Sequence, residues 1–449
     1  MVKIVELLSP ARDMASLNSA IKNGADSVYI GVTGYNMRAN VANFSTNELT
    51  EAVKTCHNAN VKIYICTNTI VKEEDLEELR KLMPIIKSSG ADAVIVSDLG
   101  ALNIATENQI PVHMSVQANI SNSEALKTLQ KLGVSRVILS RENTLKEIKE
   151  IAKNTNMEIE VFVHGSMCVA ISGRCFLSSH LYNRSANCGK CLQPCRKEWK
   201  IISEDGEELI ITGANHLNQN GTTDKKNTKH QTTDFKEINS DKTHILSPKD
   251  LCMLEYIPQL IDAGVTIFKI EGRAKPADYV ATVTRVYREA INIYNKGMWN
   301  LQKDENLEKW EKDLTKVFNR GFDTGFFYKI PDETSSSNQA TCIKKDIGMV
   351  VNYYQKVEAA EIRLWENLEL GEEIIIQGNK TGSISMKVES MQVNGKPIKK
   401  ISKGQNVAIH VKEKVRPNDT VYKRIIKDKK INLKKITKDQ TISQLIKIK

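Results

Sequence analysis

Five of the nine cysteines fall within 28 positions, at 168, 175, 188, 191 and 195. Thiolates are soft ligands, and four of them suit a zinc ion or an iron–sulfur cluster. Structural zinc sites usually pair two short Cys-x₂₋₄-Cys knuckles. Here only Cys188, Cys191 and Cys195 are that close, and six residues separate Cys168 from Cys175. The uneven spacing favours a cluster over zinc, and either over a set of buried free thiols. The opening residues, Met1 to Leu8, enter a strand-like pattern at once and carry no secretory leader. A cytoplasmic, reducing setting is therefore expected, where clustered cysteines serve metal or redox chemistry rather than disulfides. Cys56 on a helix face and Cys66 inside a strand read as core.

A second group of chemically able residues stands at the ends of apolar runs. Glu6, Ser9, Tyr29, Asn68, Asp98, Ser115, Gln117, Arg141, His164, Glu271 and Arg273 each close such a run. His164 directly follows one and is the expected acid/base or orienting group, beside Glu271 and Arg273 as further catalytic candidates. Asn68, Ser115, Gln117, Arg141 and Arg174 are the expected substrate contacts. Arg38, Arg141, Arg174 and Arg273 suit a carboxylate or phosphate.

These side chains need elements to hold them. Strand-like runs at 4–8, 27–32, 62–67, 93–97, 112–116, 136–139, 158–163 and 266–270 alternate with helix-period stretches such as 46–58, 73–88, 123–131 and 145–154. Glycines at 24, 90, 133 and 264 sit at the helix-to-strand joins, the usual left-handed helix stop. Eight apolar strands alternating with helices predict an α/β fold, a TIM-like (β/α)8 barrel over 1–300. An open doubly wound sheet competes, but no glycine-rich dinucleotide loop follows the first strand. A barrel puts its chemistry at the C-terminal ends of its strands, where the polar residues above fall. The regularity breaks after strand seven with an insertion at 166–245. It holds the cysteines, an expected hairpin (199–203 with 208–212), and a polar stretch at 213–243 expected to be disordered. A connecting segment (301–340) leads to short strand-like runs with glycine turns, a small β-barrel domain at 341–425.

The charge is +10 overall, yet residues 423–449 hold ten Lys and Arg against two Asp. The body is nearly balanced, and the tail at 426–449 is the basic element, able to grip phosphates or simply to be solvated. No apolar run reaches 18 residues, so no membrane helix is expected.

The stretch Glu160-x-Phe162-x-x-Gly165-Ser166-Met167-Cys168-x₄-Gly173-x-Cys175-x-Leu177-Ser178 resembles the signature of the peptidase family U32 (collagenase-like) proteins. Ser9-Pro10-Ala11, Gly24-Ala25-Asp26, His113-Met114-Ser115-Val116-Gln117, Gln193-Pro194-Cys195-Arg196, Ser247-Pro248-Lys249-Asp250 and Glu271-Gly272-Arg273 extend the match over nearly the whole chain. The resemblance implies an enzyme of RNA hydroxylation that carries a four-iron (4Fe-4S) cluster. One branch makes 5-hydroxyuridine at the wobble position of tRNA with prephenate, a small carboxylate, as hydroxyl source. A sister branch acts on a cytidine of ribosomal RNA. By position it implies Cys168, Cys175, Cys191 and Cys195 as metal ligands, with Cys188 or Cys252 as substitutes, and a partner subunit of the same family. The family name keeps a peptidase as the alternative. No His-Glu-x-x-His helix is present, and Ser166 or Ser172 with His164 would be the nucleophile–base pair, without an evident third group. A non-catalytic iron–sulfur scaffold is the remaining reading.

Overall fold

The structure, a computed structural model, describes residues 5–34, 36–38, 42–197, 201–202, 208–209, 246–331, 334–335 and 338–427. Strands that are apolar on both faces need cover on both sides, and a parallel ring wrapped in helices supplies it. The ring consists of β1 (Glu6–Pro10), β2 (Ser27–Gly31), β3 (Lys62–Thr67), β4 (Ala93–Val96), β5 (Val112–Met114), β6 (Val134–Ile138) and β7 (Glu158–Gly165). After the insertion come β8 (Ile201–Ile202) and β9 (Glu208–Leu209), which pair antiparallel, then β10 (Asp250–Cys252) and β11 (Ile267–Ile270). β11 pairs in parallel with both β1 and β7, which closes eight strands into a barrel.

The covering helices are α1 (Met14–Lys22), α2 (Thr46–His57), α3 (Leu76–Ser89), α4 (Leu99–Glu107), α5 (Ser123–Lys131) and α6 (Leu145–Lys153), with α7 (Leu177–Tyr182) inside the insertion, then α8 (Ile257–Asp262), α9 (Ala277–Asn295) and α10 (Trp299–Lys316). Their starts are written locally. Ser45 with Glu48 and Thr144 with Glu147 form capping boxes on α2 and α6, and Asp13 caps α1. Gly90 ends α3 in the left-handed conformation.

The barrel interior is not purely apolar. Arg136 on β6 makes a bidentate pair with Glu6 on β1 at 2.9 Å, and Lys269 meets Glu160 at 2.7 Å. β6 and β1 are not neighbours in the ring, so the first pair spans its inside. These charges plug the barrel beneath its C-terminal mouth.

The insertion returns through β10, which runs antiparallel to the end of β7 (Cys252 opposite His164). Beside β10 lies β12 (Phe322–Asp323). Residues 301–340, expected only to connect, carry most of α10, and Trp310, Leu314, Val317 and Phe327 join the barrel's core. Beyond them an eight-stranded antiparallel sheet has its own core, with Ile347, Ile362, Ile374 and Ile409 fully buried. Its hydrogen bonds among described residues run from edge to edge. The expected disordered stretch at 213–243 and all but the first two residues of the tail at 426–449 lie outside the described residues. Among the described residues no helix is long and apolar enough to cross a membrane.

Candidate functional site

At the barrel's C-terminal mouth a small pocket, about 410 Å³ of space counting the open solvent at its entrance, is lined by Tyr29, Arg38, Asn68, Ser115, Gln117, Phe162, Lys269, Glu271 and Arg273 among others. Its centre of charge is Glu271, which directly follows β11. Arg38 reaches one carboxylate oxygen at 3.1 Å and Arg141 the other at 3.7 Å. Burial works to protonate Glu271, but Arg38, Arg141 and Arg273 outweigh it and hold the carboxyl below its usual range. Arg273 is itself steadied by the side-chain oxygens of Asn36 and of Asn43, the latter at 3.1 Å. Arg141 also lies over the Phe162 ring, 4.2 Å from its centre, and donates to the Ser166 carbonyl at 2.7 Å.

Opposite stands a polar trio. The Asn68 amide donates to Ser115 Oγ and to Gln117 Oε1, both at 3.1 Å, and Ser115 hydrogen-bonds Gln117. The Asn68 carbonyl oxygen accepts from the Met37 N–H at 3.3 Å, so the loop after β2 is tied to the end of β3. A second crevice, about 490 Å³ counting open solvent, shares Met37, Asn68 and Gln117 with the cavity and brings in exposed Arg174 and buried Asn187.

His164 is placed differently from the expectation of an acid/base group facing substrate. Its ring is buried among Tyr279, Tyr287 and Phe322, with Nδ1 3.4 Å from the Tyr287 hydroxyl, and it does not line the cavity. Burial above all, helped by Lys275, pushes its pKa down to about 3, so the ring is neutral at physiological pH. The cause is register. The alternation along β7 turns Phe162 toward the cavity, and the shift in pairing at Lys269/Ile270 carries His164 outward against β10. What His164 gives the site is its backbone carbonyl, which accepts from the Glu271 N–H at 2.8 Å.

The cysteine loop caps this mouth. Asn119 holds the Ser172 carbonyl at 3.0 Å, and the Asn187 carbonyl accepts from the Ile70 N–H at 3.2 Å. Arg196 clamps the loop's two ends, reaching the Met167 carbonyl, Ser247 Oγ at 2.9 Å and the Pro248 carbonyl at 2.7 Å. Gly173 has a φ of +73° and lies so close to the barrel that a Cβ there would stand 2.8 Å from the Gln117 Cβ.

Four thiols share one electrostatic neighbourhood. Burial raises the Cys195 thiol first, then Cys168, Cys191 and Cys175 raise it further against Arg196. Cys191 is raised likewise by burial and by Cys168 and Cys175, while the Gln193 N–H, donating to its sulfur at 3.3 Å, and Arg38 oppose. Cys252 is set apart from them. It sits instead near the Tyr287 hydroxyl, its thiol pushed up to about 11 by burial. A zinc ion draws its thiolates to about 2.3 Å from one centre. Among the described residues no three His, Cys, Asp or Glu side chains group that way. A four-iron cluster binds each thiolate on a different iron and so spreads them more widely. The donor set, all sulfur and flanked by Arg38, Arg196 and an N–H···S hydrogen bond, is of a kind that could hold such a group.

The profile of peptidase family U32 matches residues 12–337. The chain belongs to this family. Among its relatives is a protein named "Uncharacterized protease MJ0090" from Methanocaldococcus jannaschii, 45% identical over 433 residues, which cover 94% of this chain and 98% of that one. A protein named collagenase from Porphyromonas gingivalis is 36% identical over 435 residues, covering 93% and 97%. The tRNA hydroxylation protein P1 of Bacillus subtilis is 32% identical over 395 residues, 86% of each chain. The U32 chain described here therefore shares its full layout with proteins named for two different chemistries.

In the sequence Lys269 stood out only as the first residue of the family-like run Lys269-Ile270-Glu271-Gly272-Arg273, not as a site residue, and Asn36 and Asn43 did not stand out at all. Lys269 carried a signal, since it is the one charge within an otherwise apolar strand, Ile267-Phe268-Lys269-Ile270. The two asparagines carried none, because they act through Arg38 and Arg273.

Proposed function

We propose that this chain is an RNA-hydroxylating enzyme acting on a pyrimidine of tRNA, the wobble uridine, with a small prephenate-like carboxylate as donor in the barrel cavity and a four-iron cluster on Cys168, Cys175, Cys191 and Cys195. The observation that carries this reading is Arg38. It lines the cavity and pairs with Glu271 at 3.1 Å, and its charge also acts on the Cys168 and Cys191 sulfurs. A site for a small anion and a site for a metal cofactor thus share one residue.

The lining supports the donor class. Arg38, Lys269 and Arg273 line the cavity against one carboxylate, Glu271. An entering carboxylate would meet guanidinium groups able to bind it in bidentate fashion. Asn68, Ser115 and Gln117 now satisfy one another, and each can exchange that partner for a polar group of a ligand. Glu271, ionised and part-buried, is the proton acceptor at hand. A bound cluster supplies one-electron chemistry at the cavity rim. Similarity to the Bacillus subtilis tRNA hydroxylation protein over 86% of both chains supports RNA as substrate.

The names of two relatives favour a peptidase. The geometry supports it less. His164 Nδ1 faces the Tyr287 hydroxyl, while Ser166 Oγ accepts from Arg320 at 3.2 Å, so the expected nucleophile–base pair is not formed.

The deciding experiment is the nucleoside profile of a deletion strain by mass spectrometry. Loss of 5-hydroxyuridine from tRNA, restored by the wild-type chain and not by Glu271→Ala, is the expected result. If tRNA and ribosomal RNA both keep every hydroxylated pyrimidine, the reading fails. Restoration by Glu271→Ala would favour a scaffold. Anaerobic purification should yield a brown protein with about four iron per chain; a colourless protein with one zinc would overturn the cluster.

A further inference from the structure

Residues 165–197 contain five Lys or Arg and no Asp or Glu. Six large hydrophobic side chains in this stretch are also exposed, Tyr182 at 37% among them. Phe176 is 73% exposed, Val169 and Ile171 are each 50% exposed, Leu192 is 48% exposed and Leu181 is 39% exposed. The loop's own hydrogen bonds gather them. Ser178 accepts the Leu192 N–H on its Oγ at 3.1 Å and the Arg184 N–H on its carbonyl at 3.3 Å, so Phe176, Arg184 and Leu192 stand around one residue. Lys197 lies over the Tyr182 ring, 4.6 Å from its centre. Among the described residues no carboxylate pairs with Arg174, Arg184 or Lys190.

We infer that the outer face of the cysteine loop, centred on Phe176, is the docking surface for a single-stranded segment of RNA. This rests on the RNA reading above and says where the polymer lies, which that reading does not. A flat apolar ring offered to solvent among cations of one sign is the combination that stacks bases and tracks phosphates. A protein-docking face would carry charges of both signs at its rim, and among the described residues 165–197 this one carries none that are negative. The nearby Asp98 is engaged in capping α4, accepting from the Gly100 N–H at 2.8 Å and the Ala101 N–H at 3.2 Å. The surface also leads to the chemistry. Arg174 lines the crevice that opens on Asn68 and Gln117, and the backbone of Gly173 rests on Gln117. A base splayed from a strand on Phe176 has that crevice as its way to the cavity.

The test is binding of a fluorescent oligouridylate and of unfractionated tRNA to the full chain purified anaerobically, over a series of salt concentrations. Phe176→Ser is expected to weaken binding about tenfold, in the range of one lost stacking contact. Arg184→Glu with Lys190→Glu is expected to weaken it and to flatten the salt slope by about 1.4 or more, the single-strand value for two phosphate contacts. Iron content equal to wild type shows that the loop is intact. Should Phe176→Ser lose iron, being next to Cys175, the double charge variant decides. Variants that bind RNA as wild type does overturn the docking surface and leave the RNA reading standing. A wild-type chain that binds no RNA overturns both. Unchanged RNA binding with loss of self-association or of a co-purifying protein assigns the face to a protein partner instead.

Discussion

Glu271 and His164 are consecutive in the logic of the site yet opposite in kind. Glu271 is a part-buried carboxylate kept charged by guanidiniums, and His164 is a buried imidazole kept neutral by its surroundings. Each makes its own demand on pH. The folded-state pKa of His164 lies below its unfolded value, so the unfolded chain binds the extra proton as pH falls through about 6.5. Stability is therefore full above that value and is lost progressively toward pH 3, at up to about 1.4 kcal/mol per pH unit. We expect the wild-type chain to be about 2 kcal/mol less stable at pH 5 than at pH 8 from this residue alone. His164→Phe, which keeps a ring against Tyr279 and Phe322 and leaves the Tyr287 hydroxyl its bond to the Val163 carbonyl at 2.8 Å, should lose that increment. Parallel denaturation of the two chains at both pH values checks it; identical pH profiles would mean that the ring is not shielded as described.

The cysteine loop is the element on which cofactor, cavity and polymer meet, and its seating rests on few contacts. Gly173 combines a left-handed backbone with a close approach to Gln117. Gly173→Val adds backbone strain of about 1–3 kcal/mol and pushes the loop away from the barrel rim. The expected outcome is a folded barrel with iron content well below wild type and weakened use of the cavity, read by metal analysis beside circular dichroism. A chain that folds with full iron would show that the loop can shift without losing its thiol arrangement. The strands were legible for a plain reason: the run at 62–67 matches β3 to the residue, because a strand buried on both faces is an uninterrupted apolar word. The inward or outward sense of β7's last residues was not legible, since it turns on a register shift against β11, more than a hundred residues away.

At the scale of the whole molecule the barrel and the C-terminal sheet are joined rather than merely tethered. Asn18 and Lys22 on α1 donate to the carbonyls of Asn379 and Thr381, both at 2.8 Å, and Lys344 pairs with Asp278 on α9 at 2.8 Å. Gly382, with φ +73°, places its Cα so near α1 that a Cβ would lie 3.0 Å from the Ser19 nitrogen. Gly382→Val should therefore part the two bodies while leaving each core whole, at a cost of about 1–3 kcal/mol from the backbone alone. Calorimetry is expected to show two transitions where the wild type shows one. A single, unshifted transition would mean that the junction contributes little.

The amino-acid order by itself determined the alternation of strands and helices, the break after the seventh strand, and the gathering of thiols and polar strand ends at one face. All of these are local patterns of apolarity, turn chemistry and spacing. Only the closed tertiary structure decided that Glu271 meets Arg38 and Arg141, that His164 turns away from the cavity, and that Cys252 sits against Tyr287. Those outcomes depend on ring closure, which brings side chains from strands far apart in the chain into one small volume, where burial and charge set what each of them can do.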